Sequence, residues 1–397
     1  MQPTSACRLA LSAAALLLPG ALAAQDRPWR LVVVSESGDI VTWLAHRGDS
    51  LVVERTVPVG IMPADIDGPH NVTVSPDGSH YYISIAHGQP WGMLWKLDAN
   101  TDEVLGRAPL ELFPTTIALT PDGELAFVAN SDFHGDRPRV NVVSVVYTPT
   151  MTKITDLALC DMPHGVKVSR SGTRAYVSCM HSDELIELDV SSIDELRRVP
   201  VGTGHKPAAA APANPHAGHE APTAARQPAS ATAPAAQAPK PGAPSGECSP
   251  TYAALSPDDA TIYVPCNYKD VVQVWDAATL TLRKEIPTGK GPYNAEPSPD
   301  GRWLLVTNKK NQSVSLIDTK ELTEAARLGT TKKIVHGVAW SPDGKFAYVS
   351  QESIGADPGA VDVIEVATRK TIATVPVPAQ PTGISLRRLP TPARAGR

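Results

Sequence analysis

Three histidines, His70, His164 and His336, each stand five residues ahead of a four-residue turn signature: Ser75-Pro76-Asp77-Gly78, Ser169-Arg170-Ser171-Gly172 and Ser341-Pro342-Asp343-Gly344. Neutral imidazole is the commonest metal ligand in proteins, and three histidines around an open position form a known catalytic metal arrangement. Copper or zinc is the chemistry such a set supports, as a bare ion or within a metal-bearing cofactor. The signature recurs at Thr120, Ser256 and Ser298, where the equivalent positions are Thr115, Thr251 and Tyr293, and Thr382 holds the same place near the C-terminal end. All seven are polar, and six follow a proline. Brought together by repeat symmetry, they predict a polar collar with its histidines spread around it. The bland alternative is that water fills the space they surround and each imidazole bonds a loop carbonyl.

Further along the repeats, more side chains with chemistry gather in short segments: His87-Gly88-Gln89-Pro90-Trp91, Asp132-Phe133-His134, Cys179-Met180-His181, Cys266-Asn267-Tyr268-Lys269, Lys309-Lys310-Asn311 and Gln351-Glu352. With Asn71 and Asn294 they predict a polar bowl in which Asn71, His87, His181, Tyr293 and Asn294 contact a small ligand or cofactor. Loop tips are polar by default, so each residue taken alone reads first as solvated.

Cys160 and Cys248 precede their signatures by nine and eight residues, and Cys179 and Cys266 each follow the start of theirs by ten. Two repeat-equivalent disulfides, Cys160 to Cys179 and Cys248 to Cys266, are feasible, although sequence leaves the connectivity open. The competing reading sets Cys160-x-Met162-x-His164 beside Cys179-Met180-His181 as a soft copper site. The Cys248 and Cys266 repeat lacks the methionine and histidine to support it.

The elements that position these residues follow from the signature itself. Its six starts lie 45, 49, 87, 42 and 43 residues apart. The long interval holds an Ala/Pro-rich stretch, and setting that aside restores a period typical of one four-stranded propeller blade. Proline fixes φ at the first corner of the turn, aspartate bonds its backbone and glycine accepts positive φ, so each signature closes a hairpin. Short alternating strands precede it, as in Val72 to Val74 and Val338 to Trp340, and β-rich runs follow it. Six signatures give six blades. Leu31 to Val57 supply three strands of a seventh and Pro381 to Leu386 its first, so strands from both ends close the ring and remove exposed edges. The predicted fold is all-β, a seven-bladed propeller of four-stranded antiparallel blades over 25–388.

Ala175-Tyr176-Val177-Ser178, Ile262-Tyr263-Val264-Pro265 and Leu305-Val306-Thr307-Asn308, each behind a signature, carry a resemblance to the YVTN-repeat propellers. The wider group includes the haem d1 domain of nitrite reductase and the lactonase propellers. The resemblance spans nearly all of residues 30–388 and implies the propeller architecture. It implies less about activity, because the group hosts binding proteins, cofactor carriers and enzymes.

The remaining segments bound where such a protein works. Residues 1–24 read as a secretory signal, with Arg8, an apolar run from Leu9 to Leu18 and cleavage near Ala23. No later stretch is long and apolar enough to span a bilayer as a helix, which predicts a periplasmic or secreted monomer. Residues 203–247, carrying His205, His216 and His219, are too rich in Ala and Pro to bury a core and read as a disordered insertion able to recruit metal. Residues 389–397 read as a flexible tail. With 36 Lys+Arg against 41 Asp+Glu and no basic run, nucleic acid is not an expected partner; a small ligand, a metal or a periplasmic protein is. The leading expectation is a binding or accessory protein with a metal or metal-bearing cofactor at the collar. The alternatives are a metal-dependent oxidoreductase, a lactone hydrolase using the same face, or a protein-interaction platform without cofactor.

Overall fold

The computed structural model describes residues 26–61, 66–87, 92–131, 141–202, 247–353 and 356–389. Its 28 strands, β1 to β28 in chain order, form seven antiparallel sheets of four strands each. Six sheets take four consecutive strands. The first blade instead takes its innermost strand from the other end of the chain: β28 (Pro381–Arg388) pairs with β1 (Asp26–Ser35), followed by β2 (Ile40–Arg47) and β3 (Ser50–Pro58). The expected propeller and its closure by strands from both ends are present. The expected signal segment, nearly all of the insertion with His205, His216 and His219, and the tail beyond Leu389 lie outside the described residues. Among the described residues, no helix is long and apolar enough to cross a membrane.

Each signature is held by its own side chains. In Ser341-Pro342-Asp343-Gly344, Ser341 Oγ donates to Asp343 Oδ1 (2.7 Å) and accepts the Phe346 N–H (2.9 Å), while Gly344 takes φ +69°. The same serine bonds recur at Ser75 and Ser298. Hydrogen bonds from Ser75 and Ser79 push the Asp77 carboxyl down to about 2.

The innermost strands carry a second repeated device. In β4 (Pro69–Val74), β8 (Pro114–Leu119), β12 (Pro163–Val168), β20 (Pro292–Pro297) and β24 (Ile334–Trp340), pairing with the next strand breaks register at the collar residue. A β-bulge of this kind leaves a residue out of the ladder and re-aims its side chain. The N–H freed just beyond is taken by a hydroxyl of the second strand: Asn71 by Ser84 (3.0 Å), Gly165 by Ser178 (3.1 Å), Asn294 by Thr307 (2.9 Å) and Gly337 by Ser350 (2.8 Å). These hydroxyls end the Tyr-Ile-Ser, Tyr-Val-Ser and Val-Thr runs of their second strands.

Apolar side chains fill the seams between blades. Val32, Val34 and Trp43 of the first blade pack with Tyr81, Ile83 and Trp95 of the second, and Leu31, Val33 and Leu44 pack with Tyr348, Val361 and Val363 of the seventh.

Candidate functional site: the collar and its rim

All seven collar residues are buried, Thr382, His70, Thr115, His164, Thr251, Tyr293 and His336. Each threonine donates to the backbone carbonyl of the ring-bearing collar residue of the next blade: Thr382 to His70 (2.6 Å), Thr115 to His164 (2.8 Å) and Thr251 to Tyr293 (2.5 Å). Small and large residues therefore alternate around the ring, which suits packing into a narrowing channel. Seven is odd, so Tyr293 and His336 fall side by side, their centroids 4.8 Å apart. The histidines are not evenly spread: Thr382 leaves room for His70 and His336 to meet edge to face at 5.4 Å. His164 packs against Tyr293 and Tyr252, at 5.4 Å from each, so the rings of the collar pack against one another around the channel.

The three imidazoles are held differently. His164 Nδ1–H donates to the Thr251 carbonyl (2.7 Å), so its Nε2 accepts from the Tyr293 hydroxyl (3.0 Å). Burial pushes His164 down to about 3, against the Thr251 hydrogen bond. His336 is also pushed well below its usual value, by burial first and then by the charges of Lys309, His70 and His164. The Thr382 backbone is the hydrogen-bonding group that His336 meets, against the direction of its shift, and Nε2 of His70 has no hydrogen-bond partner. His70 Nδ1–H instead donates to Glu36 Oε2 (2.6 Å), and His87 Nε2–H to Oε1 of the same carboxylate (2.8 Å). Burial alone would raise Glu36, but the charges and hydrogen bonds of His70 and His87 hold it well below the usual carboxylate range. Glu36 opens a short 3-10 turn, Glu36–Gly38, between β1 and β2.

Other expected site residues separate by level. Tyr293 and His87 join the collar cluster, His87 also packing on Phe113 (5.1 Å). Asn71 and Asn294 do not face the bowl: with Lys167, Glu296, Thr116 and Tyr252 they line a cavity of about 310 Å³ running on through the ring. The reason is the strand period, since the residue after a bulge faces the channel wall one level further in. His181 Nδ1 lies 4.0 Å from Asp161 Oδ2 in the fourth blade. Gly88 to Trp91 and Asp132 to His134 lie outside the described residues. The cysteines form two disulfides, Cys160–Cys179 and Cys248–Cys266, so the copper reading of the thiols is set aside. Met162 occupies a turn position at φ +60°. Glu36, Phe113 and Tyr252 are the site partners that repeat comparison missed, whereas Lys309 and Glu352 belong to the polar loop segments that the sequence singled out.

No protein-family model matches the chain, and no curated protein matches it. Solved structures do. A chain of the Kuenenia stuttgartiensis hydrazine synthase aligns at 20% identity and TM-score 0.59, over 82% of this chain and 93% of that one. A functionally unknown protein from Desulfotomaculum acetoxidans aligns at 10% identity and TM-score 0.67, over 91% and 99%. The dihydro-heme d1 dehydrogenase NirN, in complex with DHE, aligns at 16% identity and TM-score 0.54, over 89% and 74%. At these identities the likeness is one of fold.

Chemically, the collar offers buried neutral imidazole beside charge. His336 Nε2 lies 3.9 Å from Glu352 Oε1, which is 3.1 Å from Lys309 Nζ, and that ammonium stands 4.2 Å over the Tyr293 ring. Among the described residues, no three His, Cys, Asp or Glu side chains already converge as a metal requires.

Proposed function

We propose that the chain is an exported binding or accessory propeller that holds copper or zinc, bare or within a metal-bearing cofactor, at His70 and His336. The observation that carries this reading is the pair of touching, buried imidazoles with open ring nitrogens: His70 Nε2 has no hydrogen-bond partner, and the Thr382 backbone, which His336 meets, can engage only one of the two His336 nitrogens. A buried polar atom left unsatisfied costs about 1–3 kcal/mol, which a ligand would recover. Glu352 Oε1, 3.9 Å from His336 Nε2 and ion-paired with Lys309 at 3.1 Å, is the third donor once Lys309 moves aside. Glu36 holds the His70 ring through Nδ1, as carboxylates orient ligating histidines. That NirN is described in complex with DHE supports a cofactor as well as a bare ion. The two disulfides suit an oxidising compartment.

The test is calorimetric titration of metal-free, full-length protein with Zn²⁺ and Cu²⁺, with metal analysis of protein expressed in the periplasm. Wild type takes up one equivalent. His70→Ala and His336→Ala each weaken binding roughly 10- to 100-fold, and Glu352→Gln weakens it less. His164→Ala leaves affinity unchanged, because both its nitrogens are already bonded. No uptake by wild type sinks the proposal, and loss only on deleting 203–246 moves the site to the insertion.

A further inference from the structure

We propose that the collar face over the fifth to seventh blades is a docking surface for an acidic protein segment. The chain carries a net charge of −5, yet Lys269, Lys290, Lys309, Lys310, Lys332 and Lys333 all stand on neighbouring loops of this one face. Backbone bonds tie the loops into a continuous rim: Thr288 N–H to the Asp270 carbonyl (3.0 Å), Lys309 to Gly291 (2.8 Å), Lys310 to Lys290 (3.1 Å) and Thr330 to Gln312 (3.1 Å). Lys332 N–H extends it to Gln351 Oε1 (2.6 Å). Lys269 and Lys309 are neutralised by Glu285 (2.8 Å) and Glu352 (3.1 Å). Lys290, Lys310, Lys332 and Lys333 have no ion-pair partner among the described residues, and Lys290, Lys310 and Lys333 are exposed. The Lys310–Lys290 backbone bond holds two lysine-bearing loops together, so both lysines are carried on one stretch of the rim.

The surface is ordered as well as charged. A Cβ on Gly291, which sits at φ +63°, would lie 2.7 Å from Lys310 Cγ, so the glycine lets the lysine stem lie flat across the loop. Lys310 Nζ then rests 4.5 Å over the Tyr268 ring, which is 50% exposed. Exposed tyrosine held by neighbours is a frequent anchor in protein interfaces. Tyr268 is the single exposed large apolar side chain on the rim loops of these blades among the described residues, too little for a membrane surface, and the acidic remainder of the chain opposes nucleic acid.

The experiment is fluorescence anisotropy of a labelled poly-glutamate peptide of about 20 residues with the metal-free full chain, so its outcome is separate from that of the metal titration. Expected are binding that weakens at least about 10-fold between 50 and 200 mM salt, and a further loss of at least about 10-fold in the Lys290→Glu, Lys310→Glu, Lys332→Glu, Lys333→Glu variant. A control of equal charge change, Lys284→Glu, Lys320→Glu, Lys345→Glu, Lys370→Glu, keeps binding within about 3-fold after allowing for its net charge. Equal loss in the control, or full binding by the first variant with an unchanged melting curve, overturns the proposal. Tighter lysine-dependent binding of duplex DNA or phosphatidylserine vesicles than of poly-glutamate overturns the choice of an acidic protein.

Discussion

At the scale of single residues, the hydroxyl near the end of the second strand in four blades, Ser84, Ser178, Thr307 and Ser350, links the repeat to the collar. Thr307 Oγ1 accepts the Asn294 N–H (2.9 Å) and donates to the His336 carbonyl (3.1 Å). Thr307→Val keeps the shape and strands both groups, so stability measured by urea denaturation should fall by about 1–3 kcal/mol; a change below a few tenths would show that the bulge is satisfied otherwise. The buried histidines set a pH dependence. His164 and His336 stay neutral in the fold, with values lowered from 6.5, whereas the unfolded chain takes protons there as pH falls. Stability is therefore full above about 6.5 and declines below it, with His164 contributing down to about 3. Glu36, lowered from 4.5, adds its loss only below that value. Between pH 6.5 and 4.5 each histidine contributes a slope of up to roughly 1.4 kcal/mol per pH unit. Urea titrations across that range should show the slope shrink in His164→Gln; an unchanged slope would mean His164 is protonated in the fold.

At the scale of elements, the residue before several third strands acts as a staple. Asp39, Asp183, Asp270 and Gln312 all adopt positive φ, and each carbonyl accepts an N–H from the end of the fourth strand. Asp183 does more: its carbonyl takes the Val201 N–H (2.8 Å), and its carboxylate takes those of Cys248 (3.3 Å) and Ser249 (2.7 Å). The chain thus leaves the fourth blade at the Asp183 carbonyl and enters the fifth at the carboxylate of the same residue. Replacing 203–246 with a short Gly/Ser linker should leave the melting temperature within about 2 °C, whereas Asp183→Ala should lower it by several degrees, since about 1–3 kcal/mol is lost with each buried donor stranded. A large drop in the linker variant would show that the insertion packs on the ring. The same elements explain what the sequence could reveal. Turn signatures are local, so Ser-Pro-Asp-Gly announced the blades, and equal offsets from them found the collar. The aim of the collar depended on bulges and on which neighbour is small, which no offset encodes; this is why His70 and His336 touch while His164 turns to Tyr293, and why Asn71 and Asn294 lie a level deeper. Glu36 sits in the blade without a signature of its own, where repeat comparison had nothing to align.

At the scale of the whole molecule, the ring holds because its last strand is stitched to blades on both sides. Thr382 donates to the His70 carbonyl and Ser385 Oγ accepts the Val74 N–H (3.2 Å), both in the second blade, while Ser350 of the seventh donates to the Thr382 carbonyl (2.6 Å). Arg387 reaches the Gly78 and Ala99 carbonyls (2.8 and 2.6 Å). Deleting 381–397 removes all of these, opens β1 as an unpaired edge and exposes Leu31 and Val33, so the truncated chain should aggregate or lose cooperative unfolding. A circular permutant separates the missing strand from the missing connection. With new ends at 202 and 247 and a short linker from 389 to 26, every strand is kept and each blade becomes continuous, but the joint between the fourth and fifth blades is left to the non-covalent seam around Tyr176, Leu185 and Leu255. The permutant should show the wild-type circular dichroism spectrum and a lower melting temperature, because no strand now crosses the seam to lock the ring. A truncated chain that melts cooperatively near the wild-type midpoint would show that closure by β28 is dispensable, and a permutant as stable as wild type would show that the seams alone hold the propeller shut.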